Sequence, residues 1–377
     1  MPTHRIMIIT TGGTIAGNVA DDKKGVFIED PEKADDPRRN AEDFTTAVSP
    51  FMGHFNKAWG INIEFSSEAV CNVDSSDVEP YHWTAIVDLI KKHYNEHDSF
   101  IITHGTNTMG YTCAALSFAI ANSNKPIIVT GSQVPSDMPG SDALSNLNNA
   151  IRVALWPHQP TVKGVVAVFG SHIISGTRVK KSTEFDYDAF GTFQDASIGR
   201  IGRIVTFDLS KLQKHLSYLE SPYYNMALTA DDLIVENDFE TRIASLTEFP
   251  GMPDDIFKNL VEHNDIKGFI LRAFGAGDAS HRLHAGLDYL KQKEIPIVLT
   301  TQAPNGNSNF QVNEPGQHIN EKKLAIPAFD MSIEAQTTKL AWLLAKRQKG
   351  EIGYQDVCRE MVNDIRGEIT VLRELKQ

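Results

Sequence analysis

The chain has 377 residues, enough for two domains with buried cores. Hydrophobic residues make up 41%, charged residues 22%, and the net charge is −12, a balance that argues against a nucleic-acid surface, which needs a basic footprint. No apolar run approaches the ~20 residues of a membrane helix, and Met1-Pro-Thr-His4 leads into an apolar strand without the pattern of a secretory leader, so a cytoplasmic protein is expected.

In chain order, Arg5-Ile-Met-Ile-Ile9 reads as a buried strand that runs into a threonine- and glycine-rich turn, Thr10-Thr-Gly-Gly-Thr-Ile-Ala-Gly17. Asp21 to Arg39 is charged and turn-rich and reads as a surface loop. Asn62-Ile-Glu-Phe65 is a strand candidate. The polar loop Cys71-Asn-Val-Asp-Ser-Ser-Asp77 precedes a helix from Pro80 to Tyr94, with Ser76 or Asp77 as the candidate N-cap. Ser99 to Thr103 is a short β-branched strand, followed by the turn His104-Gly-Thr-Asn107 and a helix from Thr108 to Asn122. Taken alone, that turn is either a site mouth or an ordinary strand–helix connection with Thr108 as cap. Pro126 to Thr130 is a strand, Gly131 to Pro135 a polar turn, Asp142 to Trp156 a helix, and Gly164 to Phe169 a strand. Strand and helix alternate throughout, which predicts parallel βαβ units. Ser171 to Lys181 reads as a hairpin turning at Ser175-Gly176.

Residues from about 195 to 240 have mixed character and read as an extended linker with a short helix or strand. A second α/β series follows. Arg242 to Leu246 is a strand, Asp254 to His263 a helix, and Gly268 to Ala273 a strand ending in the turn Phe274-Gly-Ala-Gly-Asp278. His281 to Lys293 is helical, Pro296 to Thr300 a strand, Ala335 to Lys346 helical, and residues 350–377 form one or two surface helices. The expected fold class is therefore α/β. A larger N-terminal domain (residues 1–205) has a mainly parallel sheet flanked by helices. A linker (206–240) leads to a smaller C-terminal α/β domain (241–377) with a parallel sheet.

Two turns of threonine, glycine and amide residues at strand ends can converge on one crevice, where open α/β sheets bind ligands. Neither turn carries a dinucleotide fingerprint or a phosphate-loop lysine, and no Gly-x-Ser-x-Gly elbow is present. No histidine, cysteine or carboxylate spacing predicts a metal. Cys71, Cys113 and Cys358 read as small buried hydrophobes of a reducing compartment. Hydrolysis of a carboxamide needs a nucleophile, a base and donors for the oxyanion. Two threonine turns and a lysine supply such a set without a cofactor.

Thr11-Gly-Gly-Thr-Ile15 together with His104-Gly-Thr-Asn-Thr-Met109 resembles the bacterial-type L-asparaginases, most closely the cytoplasmic type I branch. Matching segments extend from about residue 4 to about 345. The first motif matches fully. The second departs at Asn107, where that family has aspartate. The resemblance implies Thr14 as nucleophile, Thr106 and Lys181 as the proton-handling pair, and Ser75, Ser76 and Asn107 as holders of the amino-acid end of the substrate. Asp74-Ser-Ser-Asp77 resembles the family loop that binds the substrate α-carboxylate, although a capping role also fits. Lys181 is preferred over Lys180 because the flanking Arg178 and Asp186-Tyr-Asp-Ala-Phe190 match and because adjacent residues of a strand face opposite ways.

Three departures stand out. The family's lid tyrosine has no counterpart, since Val26 and Phe27 occupy the nearest positions. Asn107 keeps the shape of aspartate but not its charge, removing a charge-assisted bond worth on the order of 1.5–3 kcal/mol. Asp278 stands where the family turn Gly-x-Gly-Asn has asparagine. Asp278 therefore either restores a carboxylate beside the α-ammonium in a neighbouring subunit's site or caps the helix starting near Ser280.

The expected activity is conversion of L-asparagine to L-aspartate and ammonia by a threonine nucleophile. The expected partners are L-asparagine or L-glutamine and further copies of the chain in a homodimer or homotetramer, with no nucleic acid, membrane, metal or cofactor. One alternative is a weakly active or non-catalytic amino-acid binding protein of the same fold. Another is a subunit of a tRNA-dependent amidotransferase, ranked last because that subunit carries an added N-terminal domain.

Overall fold

The computed structural model describes residues 2–12, 53, 56–57, 60–157, 161–190, 197–219 and 232–370. The chain divides into two compact units, Met1–Asn237 and Asp238–Gln377.

The first unit is built on an eight-stranded sheet in the order β2-β1-β3-β4-β5-β6-β7-β8. Its parallel half comprises β1 (Thr3–Thr10), β2 (Asn62–Ala69), β3 (Ser99–Thr103), β4 (Pro126–Thr130) and β5 (Gly164–Phe169). Antiparallel strands β6 (His172–Ser175), β7 (Ser197–Ile201) and β8 (Val205–Phe207) extend it. The helices are α1 (Pro80–His93), α2 (Met109–Ala119), α3 (Ala143–Ala154) and α4 (Leu209–Leu219). Ser99-Phe-Ile-Ile-Thr103 is buried at every position, as a central parallel strand covered on both faces requires. One core cluster joins Ile6, Ile101, Ile128 and Val166 to Leu147, Ala150 and Ile151 of α3, and to Leu212 of α4. The order 2-1-3-4-5 matters for function. β1 is flanked by β2 on one side and β3 on the other, so connections diverge there and leave a crevice beyond the strand ends.

The second unit carries a four-stranded parallel sheet in the order β12-β11-β10-β9, with β9 (Ile243–Thr247), β10 (Gly268–Ala273), β11 (Ile297–Thr301) and β12 (Ile326–Pro327). Its helices are α5 (Ile256–Asn264), α6 (His284–Gln292), α7 (Glu314–Lys322), α8 (Ile333–Gln348) and α9 (Tyr354–Val362). The α/β class, with a larger, mainly parallel sheet and a smaller parallel one, is as expected. Among the described residues no helix is long and apolar enough to cross a membrane.

Local structure departs from the sequence reading in several places. The β5–β6 hairpin turns at Gly170-Ser171, since Phe169 pairs with His172, and Gly170 takes the positive φ of 53° that such two-residue turns demand. Ser175-Gly176 instead opens a short 3₁₀ turn, Gly176–Arg178, where a Cβ on Gly176 would lie 2.3 Å from Ser117 Oγ. Helix α1 starts after Glu79, not after Ser76 or Asp77, because Asp74 caps a separate 3₁₀ turn over Ser75–Asp77. Helix α2 stops at Ala119, since Ile120 leaves to bridge Val235. The stretch 206–240, read as a linker, supplies β8 and α4 to the first unit, whose antiparallel edge the alternating pattern did not reveal.

In the second unit, Lys339 on α8 is fully buried and its ammonium donates to Glu368 and to the carbonyls of Met361 and Asn363. Burial alone would raise the Glu368 carboxyl, but the charge and hydrogen bond of Lys339, with amide N–H groups of Ile365 and Arg366, hold it below its usual range. Removing one partner of a buried pair strands the other charge, at a cost of about 3–5 kcal/mol. Lys339→Met is expected to lower the urea unfolding free energy by that amount, and adding Glu368→Leu to recover most of it. Equal loss in the single and double variants would show packing, not charge pairing, to be what Lys339 supplies.

Candidate active site

Three strand-end turns meet at the switch between β1 and β3. The end of β1 is tied to the end of β3, because Thr11 donates both its backbone N–H (3.2 Å) and its hydroxyl (3.0 Å) to the Thr103 carbonyl. The loop after β2 then docks on Thr11, whose carbonyl accepts from Val73 N–H at 3.2 Å and from Cys71 Sγ at 3.4 Å. Gly12, at φ +87°, allows this approach, since a Cβ there would lie 2.6 Å from Val73 N.

The turn after β3 packs onto the same loop. A Cβ on Gly105 would sit 2.6 Å from Ser75 Oγ, so only glycine admits the serine. Ser75 is buried; its hydroxyl accepts from Asn107 N–H at 3.2 Å, and its carbonyl accepts from Thr108 Oγ1 at 2.5 Å. Thr108 precedes α2 but makes no side-chain cap bond, because its hydroxyl holds this loop instead. Ser76 N–H donates to Asp74 Oδ1 at 2.7 Å, and Ser76 Oγ accepts from Asn107 Nδ2 at 3.2 Å.

His104 supports the turn from beneath. It is fully buried, and burial pushes its pKa down to about 4, so it stays neutral at physiological pH. Its Nδ1 lies 2.7 Å from the Gly105 carbonyl and its Nε2 lies 2.8 Å from Thr112 Oγ1, which in turn accepts from Trp83 Nε1 at 3.0 Å. The tautomer that satisfies this chain donates from Nδ1 and accepts at Nε2.

Lys181 reaches this site from the segment after β6. Its ammonium donates to Thr106 Oγ1 (2.9 Å), Asn107 Oδ1 (3.0 Å) and Glu184 Oε1 (2.9 Å), which uses all three of its protons. Thr106 is buried, and the Lys181 side chain is only 13% exposed. Residues 179–183 are not a strand, so strand alternation does not separate Lys181 from Lys180; the contacts to Thr106 and Asn107 do. The loop 182–189 is pinned at both ends. Ser182 N–H and Oγ donate to the Ala189 carbonyl (2.8 and 3.1 Å), and Gln133 Nε2 donates to the carbonyls of Glu184 (2.8 Å) and Asp186 (3.2 Å). Sequence reasoning missed Glu184. Its signal was a carboxylate three residues after the lysine.

Of the residues singled out in the sequence, the structure brings together Ser75, Ser76, Thr106, Asn107 and Lys181. Thr14, Val26 and Phe27 lie outside the described residues. Asp278 belongs to the second unit and is buried, with Oδ2 accepting from Ala276 N–H (3.3 Å) inside its own turn and from Asn313 Nδ2 (2.5 Å) at the start of α7. It does not cap the following turn, for which Ser280 is the N-cap residue. Burial raises the thiol pKa of Cys71 to about 11, that of Cys113 further, and that of Cys358 as well, so none is poised as a nucleophile. The expectation that no histidine spacing predicts a metal passes over His93-Tyr-Asn-Glu-His97: among the described residues, His93, Glu96 and His97 bring metal-ligating atoms within 4.8 Å of one another, although none of them belongs to the site.

A hydroxyl, a lysine and an amide joined by hydrogen bonds, next to serine hydroxyls on a short turn, suit an amino acid and proton transfer at a threonine. Comparison with known proteins identifies the family. Residues 5–213 match the family model "Asparaginase, N-terminal", and residues 242–352 match "Glutaminase/Asparaginase C-terminal domain". The chain is 31% identical to L-asparaginase 1 of Escherichia coli, over 85% of this chain and 92% of that protein. It is also 31% identical to a subunit of the glutamyl-tRNA(Gln) amidotransferase of Methanococcus maripaludis, over 97% of this chain and 80% of that protein. Among solved structures, L-asparaginase I from Vibrio cholerae superposes with a TM-score of 0.75 at 28% identity, covering 98% of this chain and 99% of that one. With both family models matched in order along the sequence, the chain belongs to the asparaginase family.

Proposed function

We propose that the chain hydrolyses the side-chain carboxamide of L-asparagine, giving L-aspartate and ammonia, with Thr14 as nucleophile. The observation that carries this reading is the hydrogen bond of Lys181 Nζ to Thr106 Oγ1, 2.9 Å, at the sheet's switch point. Thr14 follows Gly12 by two residues in the sequence, and the 71–73 loop and the β3 end hold the chain up to Gly12.

In the first half-reaction the Thr14 hydroxyl attacks the amide carbon. Its proton passes by way of the Thr106–Lys181 pair to the departing nitrogen, which leaves as ammonia, and an ester to Thr14 remains. In the second half-reaction water attacks that ester, its proton returns to the Thr14 oxygen, and aspartate leaves. Ser75 and Ser76 hold the α-carboxylate by hydroxyls and turn amides, and Asn107 holds the amino-acid end with a neutral amide. The proposed oligomer is a homodimer or homotetramer in the cytoplasm.

Ammonia release from asparagine and glutamine tests this reading. Thr14→Ala, Thr106→Ala and Lys181→Met are each expected to lower it about a thousandfold or more, with an unchanged thermal midpoint and no further loss on combining the last two. Activity in Thr14→Ala above about a tenth of the parent's removes Thr14 as nucleophile, and greater damage from Lys180→Met than from Lys181→Met reverses the lysine assignment.

A second reading rests on the amidotransferase relative, whose similarity spans 97% of the chain. In that reading the same chemistry supplies ammonia to a glutamyl-tRNA(Gln) amidation. In that reading the net charge of −12 argues for tRNA contact through another chain. The two readings separate on one measurement. A stand-alone asparaginase releases ammonia at the same rate with and without charged tRNA in a lysate, whereas an amidotransferase subunit is accelerated by it and co-purifies with a second chain.

A further inference from the structure

Any α-amino acid substrate brings an α-ammonium into the site, and a cation leaving water needs an anion. The polar chain that would receive it, Ser75, Ser76, Thr106 and Asn107, is neutral throughout, and Lys181 adds a positive charge. We propose that Glu184 is the specificity carboxylate of this site, receiving the α-ammonium of the substrate in the place that the neutral Asn107 leaves unfilled. This rests on the amidohydrolase reading, which it deepens.

Three observations carry it. Glu184 touches the site directly, with each carboxylate oxygen 2.9 Å from Lys181 Nζ. Its backbone is held by Gln133 and its loop closed by Ser182, so the carboxylate is delivered by a built turn. Yet its side chain is 62% exposed, whereas Lys181 is 13% exposed. The carboxylate therefore sits at the mouth and the ammonium inside, and only the carboxylate is free to turn from one cation to another.

Binding then becomes an exchange of partners. In the resting site Glu184 pairs with Lys181. When an α-ammonium arrives, the carboxylate swings to it, and Lys181 keeps only its bonds to Thr106 and Asn107. Substrate capture thus withdraws the counter-charge from the lysine when it is needed as proton acceptor. An amide substrate without an α-ammonium leaves the ion pair in place. Two other carboxylates compete for the role. Asp74 Oδ1 is engaged by Ser76 N–H, and Asp278 is buried in the second unit with Oδ2 engaged by Asn313 and Ala276 and Oδ1 unpartnered among the described residues.

The test compares ligands that differ only in the α-amino group, by calorimetry with L-aspartate and succinate and by kinetics with L-asparagine and succinamate. Losing one charge-assisted bond in a part-closed site corresponds to about 10- to 100-fold. Glu184→Gln is expected to lower the aspartate-to-succinate affinity ratio by that factor and the asparagine-to-succinamate kcat/KM ratio likewise, mostly through KM. Adding Asn107→Asp restores the ratio. Equal losses for both ligands would reduce Glu184 to a residue that positions Lys181 and overturn the proposal. So would a ratio unchanged in Glu184→Gln and lost in Asp74→Asn or Asp278→Asn, or failure of aspartate to bind. Aspartate binding with the expected ratio but no ammonia from asparagine would uphold Glu184 and instead overturn the hydrolytic reading.

Discussion

The approach of three backbone turns at the switch between β1 and β3 is the constraint on which the site depends. Thr11 binds the Thr103 carbonyl twice, Val73 binds the Thr11 carbonyl, and Ser75 fills the space a side chain on Gly105 would take. Gly131 repeats the requirement one strand further on, where a Cβ would stand 2.3 Å from the His104 carbonyl oxygen. Glycine at 12, 105 and 131 keeps a Cβ out of these contacts, so backbone geometry sets where the hydroxyls of Ser75, Ser76 and Thr106 stand. The central strand of that scaffold is buried at every position and one face of the sheet packs on α3 and α4, which leaves it little freedom to drift. The neutral, buried His104 beneath it satisfies backbone and Thr112 without adding charge.

Much of this is legible in the sequence because the signals are local. The run Ser99 to Thr103 is short, β-branched and apolar, and it is a fully buried strand. The glycines at 12 and 105 and the threonines around them mark strand-end turns whose close contacts need those residue types. What is not legible depends on distant partners. Asp74 caps its own 3₁₀ turn rather than α1, and nothing local distinguishes it from Ser76 or Asp77. The antiparallel edge β6-β7-β8 breaks the βαβ rhythm, which is why β8 and α4 read as linker. Gly170, not Gly176, carries the positive φ of the hairpin, a difference invisible when each has a serine beside it. Thr14 and the stretch around Val26 and Phe27 lie outside the described residues, and their reading rests on the sequence alone.

Charge is where this chain differs most from the pattern it resembles. Asn107, where the resembled family has aspartate, accepts from Lys181 and donates to Ser76. The lysine is not left without a counter-charge, since Glu184 lies against it from the pinned loop 182–189. The carboxylate beside the lysine comes from a loop, while the turn after β3 offers it a neutral amide. The exposure difference between the two partners makes the lysine the fixed member and the glutamate the adjustable one.

On the proposed reading, one small amino acid occupies the crevice beyond β1 and β3, between the serine turn and Thr106. The most direct measurement is a crystal structure of the chain with L-aspartate. The predicted result has the α-carboxylate on Ser75 and Ser76 and the side-chain carboxylate within hydrogen-bond distance of Thr106 Oγ1, with Lys181 behind it. Aspartate bound elsewhere in the chain, or held in this crevice with neither Thr106 nor the serine turn in contact, would contradict it.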